Sequence, residues 1–309
     1  MRGELRQQGR QLDSLLIVVP GVIWGASFLF IAEGLQAVAP MGVTVVRIAL
    51  GFATLSLVPS ARRPILPDDR VKTAALGVLW LAFPLSMFPF AERHVSSALA
   101  GMLNGATPLF AALVASLLAR EAPSSRVAVG LTVGLAGAIL IALPGLAGLD
   151  ATRGQAPGVL MILAALVSYA FAYSLARPLQ QRNGSLPVVW RALGWAFVLT
   201  VPLGGPAIAR AHWTAASLGS LIALGVLGTG VAYAVLATAA GRLGATRASS
   251  NNFIIPVVSL LLGVLVRHEQ VSAISIAGAS VCLLGAWLIR PVAARNQAGR
   301  ERLTSPSTT

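Results

Sequence analysis

Two asparagine–proline pairs are the residues best placed to do chemistry in this chain. Asn104 stands four positions before Pro108, and Asn252 four before Pro256, each pair inside an apolar run. A proline in a helix removes one backbone hydrogen bond and frees the carbonyl four residues earlier. In lipid such a carbonyl must find a partner or line a cavity. Two readings stand: paired binding or hinge elements, or structural bends satisfied by neighbouring helices.

Other polar and aromatic residues lie at similar depth. Trp24 and Ser27 fall in the first apolar run and Thr107 beside Pro108 in the fourth. Ser168, Tyr169 and Tyr173 fall in the sixth, Thr229 and Tyr233 in the eighth, Ser250 and Asn251 in the ninth. Trp24 with the three tyrosines forms a candidate aromatic cage for an apolar or cationic solute. Packing or interface anchoring is the alternative, although Trp24 is too deep for an anchor. Arg47 and Arg191 are the only charges well inside the runs. A buried intramembrane arginine is costly and marks a candidate site. Arg47 lies ~9 Å from its run's end at helical rise, within snorkelling reach. Their matching positions suggest a shared structural duty, and substrate contact stays open.

The chemistry that is missing narrows the classes. No carboxylate sits in mid-run; Glu33 and Glu92 near one mouth and Asp13 near the other are the nearest. Coupling to a proton therefore stays open beside uniport and exchange. Glu121 and Glu269 read as loop charges that pair with Arg126 or Arg267 or cap the next helix. His94, His212 and His268 lack metal-ligand spacing. Cys282 is the one cysteine, so an internal disulfide is excluded. Gly228-Thr-Gly230 lacks the third glycine of a dinucleotide loop, and no phosphate loop or nucleophile elbow occurs. No catalytic residue, metal or cofactor is expected, and the chain does not read as an enzyme.

These residues need an apolar scaffold, and the composition supplies one. The 309 residues are 56% hydrophobic and 11% charged, with mean hydropathy +0.79. A soluble domain rarely carries so little charge; an integral membrane protein does. The net charge of +13 lies between apolar runs, where topology explains it better than nucleic acid. At ~20 apolar residues per helix, ten spans are expected, over roughly 14–33, 41–59, 72–91, 96–118, 126–144, 157–176, 187–203, 217–239, 247–266 and 271–289.

The order of residues repeats at a spacing of 148. The shift carries Pro108 onto Pro256, Glu121 onto Glu269, Gly130 onto Gly278 and Gly137 onto Gly285. It carries Leu76-Gly77-Val78-Leu79 onto Leu224-Gly225-Val226-Leu227 unchanged, and Arg47 answers to Arg191 with a short slip. The expected fold is therefore all-α and integral to the membrane: ten transmembrane helices as two inverted five-helix repeats. Five spans per copy is an odd number, so the second copy enters from the opposite side, which suits alternating access.

With the N-terminus inside, 17 basic residues fall on the cytoplasmic side and 4 outside. That bias predicts a multi-pass protein with both termini cytoplasmic. Arg2, Arg6 and Arg10 before an apolar stretch, with Ala37-Val38-Ala39 beyond, also resemble a cleaved leader, but cleavage would break the five-plus-five match. The expected segments are a cytoplasmic tail (1–13), a first repeat (14–144), an outer linker (145–156), a second repeat (157–290) and a disordered cytoplasmic tail (291–309).

The doubled order resembles the ten-helix EamA-type transporters of the drug/metabolite transporter superfamily. Its carriers are Trp24–Phe28, Arg47, Ala98–Pro108 leading to Glu121, and Gly130–Gly137. The second half repeats them with Arg191, Ala248–Pro256, Glu269 and Gly278–Gly285. Arg120 and His268 depart from the pattern where a glycine often stands, and Tyr169 replaces a tryptophan. The resemblance implies movement of small metabolites, amino acids or drugs across the inner membrane, often outward. It implies a pathway lined by spans one, three, four, six, eight and nine, with five and ten outside. The expected partners are a small organic solute and the bilayer, with a coupling proton and a homodimer left open and no nucleic acid. An apolar and aromatic lining favours amino-acid-like or drug-like solutes over phosphates. A non-transporting membrane subunit or scaffold and a nucleotide-sugar-like exchanger are the alternatives.

Overall fold

A computed structural model describes residues 2–146, 154–243 and 249–289. The 291–309 tail and most of the 145–156 linker lie outside the described residues. The first five spans are α1 (Arg2–Gly34), α2 (Pro40–Ser56), α3, α4 and α5 (Ser125–Leu146). Two of these are composite. In α3, Arg70–Leu76 and Phe83–Ala91 are joined by a π-helical stretch, Gly77–Ala82. In α4, Ser97–Asn104 and Thr107–Ala119 are separated by a turn. The second set is α6 (Ala156–Asn183), α7 (Ser185–Ala209), α8, α9 and α10 (Ala273–Leu288). In α8, Ala215–Ile222 and Ala232–Leu243 flank a π stretch, Ala223–Val231; α9 is Ile254–Arg267 after a 3-10 stretch, Ser249–Phe253. Among the described residues, eight spans are long and apolar enough to cross a membrane, and α2 and α10 are shorter apolar helices. This is the all-α, ten-helix membrane fold expected.

Several boundaries differ from the hydropathy reading. α2 stops at Ser56 because Pro59 opens a 3-10 turn, and the residue before a proline avoids helical backbone. α6 runs on to Asn183 and ends at Gly184, whose φ of 83° suits glycine. α1 begins at Arg2, so residues 2–13 continue the first helix.

The expected mid-helix kinks are also different in kind. α4 is broken rather than bent: Gly105 and Ala106 form the turn, and Pro108 sits in the first turn of the second half-helix. Proline is favoured there, because its missing N–H would have had no helical partner. Pro256 likewise occupies the first turn of α9, after the 3-10 stretch.

The two sets of five helices pack as inverted copies. A Cβ on Gly130 would meet the Gly285 carbonyl at 3.0 Å, and one on Gly137 the Gly278 carbonyl at 2.7 Å. Exchanging the repeats turns one of these pairs into the other. To within one residue the same holds elsewhere: a Cβ on Gly77 would meet the Ala192 carbonyl at 2.7 Å, and one on Gly225 the Arg47 carbonyl at 3.1 Å. Small residues let membrane helices approach to backbone contact, and here that contact follows a two-fold axis between the halves. One end of the bundle carries Arg62, Arg63, Arg70, Arg177, Arg182 and Arg242, and the other Arg93, Arg210 and Arg267. These are the arginine-rich and arginine-poor ends.

Candidate functional site

Matching π stretches in α3 and α8 prepare the site. A π stretch widens a helix and shifts its carbonyls off the usual ladder. In both copies a side chain from the opposing helix takes one of them. Trp24 Nε1–H donates to the Gly228 carbonyl at 2.8 Å, and Ser168 Oγ–H to the Leu79 carbonyl at 2.7 Å. α1 is thus tied to α8, and α6 to α3, at mid-depth.

Between these ties lies a cavity of about 960 Å³. Its wall is a chain of seven aromatic rings, each touching the next: Trp24, Tyr233, Trp80, Tyr173, Tyr169, Phe88 and Phe28. Trp24 and Tyr233 meet edge to face with centroids 5.5 Å apart, and Tyr169 stacks on Tyr173 at 6.1 Å. Such contacts fix ring orientation as well as burying area. The cavity mouth, at the arginine-rich end, is lined by exposed Arg177 and Gln181. Its inner end is lined by buried Ile31, Arg47 and Phe88.

Beyond that inner end the arginine-poor side is latched. Arg267 pairs with Glu33 of α1 and, through Nε, with Glu269 at 3.3 Å. Glu269 accepts from Ser97 N–H at 3.0 Å, Ser97 Oγ–H at 2.8 Å and Ala98 N–H at 2.9 Å. α1, α4 and the α9–α10 loop are joined by this one network. The expected pairing with Arg267 is present, but Glu269 caps α4 rather than the next helix. Arg126 bonds the Leu288 carbonyl, and Glu121 is exposed.

The cavity gathers Trp24, Ser27, Asn104, Thr107, Pro108, Tyr169, Tyr173, Tyr233, Asn251 and Asn252. Thr229 lies just behind the wall and accepts a hydrogen bond from Arg47 Nε at 3.0 Å. Pro256 does not line it. The two arginines part company. Arg47 is 6% exposed and lines the cavity, whereas Arg191 lies outside it, bonding the Pro187 carbonyl and stacking over its own neighbour Trp190. The Asn104 carbonyl is not left free: Thr107 Oγ–H donates to it at 2.6 Å, which leaves the amide side chain to face the cavity. Trp80 and Phe88 were not singled out by sequence, being apolar residues in an apolar run. α2, α7 and α10 also contribute, through Arg47, Val189 and Ala286, so the lining is wider than the six spans expected.

A model of the EamA-like transporter family matches residues 12–143 and again 156–290. The chain belongs to this family. The two matches coincide with the two structural copies. A probable terminal-alkyne amino-acid exporter from Streptantibioticus cattleyicolor is 24% identical, over 94% of this chain and 95% of its own length. A probable amino-acid metabolite efflux pump from Escherichia coli is 22% identical, over 89% and 94%. An uncharacterized transporter from Archaeoglobus fulgidus is 21% identical, over 89% and 97%. A crystal structure of a protein 19% identical to this chain matches it with a TM-score of 0.58, covering 95% of this chain and 99% of that one, and shares its fold. The chain is a multi-pass membrane transporter by family.

Proposed function

We propose that this protein exports a small amino-acid-like solute across the inner membrane by alternating access. The observation that carries the reading is Arg47. Its guanidinium lines a sealed cavity end, donates one bond to Thr229, and has no carboxylate within ion-pair distance among the described residues. A guanidinium in so apolar a place wants an anion, and a solute carboxylate supplies one bidentately. The Asn251 amide N–H group, buried in the wall and without a partner among the described residues, is a further free donor in the same cavity. The aromatic chain then holds the solute's apolar body. The names of the exporter and efflux-pump relatives support this class.

The side of access follows from charge, and the outward direction from the names of the exporter and efflux-pump relatives. The positive-inside rule sets the arginine-rich end in the cytoplasm, so the latched cavity is open to the cytoplasm and loads from there. The test is counterflow in proteoliposomes with a panel of amino acids and their uncharged amides. Arg47→Ala is expected to lower uptake of the acids at least tenfold, the loss of about 1.4 kcal/mol or more, and to leave amides little changed. Equal loss of acids and amides by a well-inserted variant would overturn the carboxylate reading.

A further inference from the structure

The cavity does not use the most unusual carboxyl group in the structure. Glu92 is the residue just past α3, one helical turn beyond Phe88, whose carbonyl accepts its backbone N–H at 2.9 Å. Both of its carboxylate oxygens are sealed from solvent, and neither has a hydrogen-bond partner among the described residues. The neighbouring carboxylates are treated differently: Glu33 and Glu269 are both held by Arg267. Three charges from other elements act on Glu92: Glu269 and Arg267 from the end of α9 and the loop after it, and Arg47 from α2. Arg93 and His94, which follow it in its own loop, are exposed.

An unpartnered buried anion is expensive, and a carboxyl group in that position escapes the cost by keeping its proton. Burial first, and Glu269 second, push the Glu92 carboxyl well above the usual carboxylate range, against the opposing pull of Arg267 and Arg47. Glu92 is buried in the form in which Arg267 holds Glu33 and Glu269, and Glu269 holds Ser97.

We propose that Glu92 is the proton-binding residue of this gate, so that shutting the arginine-poor end takes up one proton from that side. The step forms one O–H bond on a Glu92 oxygen and consumes one hydronium ion there. Opening the latch readmits water, restores the ordinary acidity and returns the proton. The sign follows from linkage. A carboxyl whose affinity for a proton is raised in the shut form favours that form at low pH. The preference is lost as pH rises through the raised value, by at most about tenfold per pH unit. This deepens the alternating-access reading and rests on it.

The experiment has two readouts on the purified protein in lipid vesicles. Infrared spectra at neutral pH are expected to show a protonated carboxylic acid band that disappears in Glu92→Gln. Labelling of Val95→Cys in a Cys282→Ser background, by an impermeant thiol reagent, reports latch opening. Val95 is 5% exposed and lies three residues from Glu92. Its labelling is expected to rise with pH, to stay low and flat in Glu92→Gln, and to keep its pH dependence in Glu92→Asp, which retains a titratable group. An acid band or a pH dependence unchanged in Glu92→Gln overturns the assignment. Solute flux measured on the same vesicles separates the failures. Normal flux with an unchanged band sinks Glu92 alone, whereas loss of Glu92's band without any solute flux sinks the transport reading alone.

Discussion

Glu269 caps the first turn of α4 from the other repeat, taking the N–H groups of Ser97 and Ala98 on its two carboxylate oxygens. A helix start leaves its first N–H groups unsatisfied, and a carboxylate there gains both hydrogen bonds and the favourable end of the helix dipole. The usual cap comes from the preceding residue. Here Ser96 caps Leu99, and Glu269 supplies the rest from 172 residues away.

Glu269→Ala is therefore expected to loosen the arginine-poor end by about 1–3 kcal/mol, the cost of leaving buried donors unpaired. Thiol labelling at position 95 should rise accordingly. Gly263→Ala is expected to do the same by another route, since its Cβ would lie 2.5 Å from Glu269 Oε2 and displace the carboxylate. The double variant should label less than the two effects combined, because both remove the Glu269 contact, while the added methyl's 2.8 Å approach to the Ala98 Cβ is independent of it.

Arg120 and His268 occupy the left-handed region with φ of 56° and 53°, each ending its helix just before the repeated glutamate. Left-handed backbone costs a side-chain-bearing residue roughly 1–2 kcal/mol. Arg120→Gly and His268→Gly are each expected to stabilise by about 1 kcal/mol or less, read as a higher midpoint of thermal unfolding in detergent. Arg120→Ala should bring no such gain.

The seam between α5 and α10 predicts a sharp asymmetry among glycines. A Cβ on Gly285 would stand 2.3 Å from both Cα and N of Gly134, where backbone cannot yield. Gly285→Ala is expected to destabilise by about 1–3 kcal/mol or more, as overpacking does. Gly205→Ala and Gly219→Ala face open space and should leave unfolding in detergent within about 0.5 kcal/mol.

Trp24→Phe keeps a ring beside Tyr233 but deletes the N–H that holds the Gly228 carbonyl. Hydrogen bonds between membrane helices average about 0.6 kcal/mol and reach about 1.7. A transport loss of about three- to twentyfold at normal insertion is expected, and Ser168→Ala should show the mirror effect through Leu79.

Much of this fold was legible in the residue order. The 148-residue shift names the four glycines of the seam, which meet crosswise, Gly130 with Gly285 and Gly137 with Gly278, and it places Arg120 and His268 at equivalent turns. The polar residues chosen by depth largely face one cavity, because a buried polar group in lipid has few other places to go. Other features were not legible. The π stretches share their hydropathy with any helix, so only the repeated Leu-Gly-Val-Leu hinted at them. Arg47 and Arg191 match in sequence but not in surroundings, since side-chain direction depends on how α2 and α7 rotate against their neighbours. The cap on α4 joins residues too far apart in sequence for local spacing to reveal.

The paired glycines of α5 and α10 bear on how such a chain arose. Each five-helix unit, taken alone, ends in a stripe of bare backbone that lipid tails cover poorly. The surface that covers it best is the same stripe on an upside-down twin. A gene encoding one unit would thus yield a sticky half, and joining two units head to tail gives each its mate at birth.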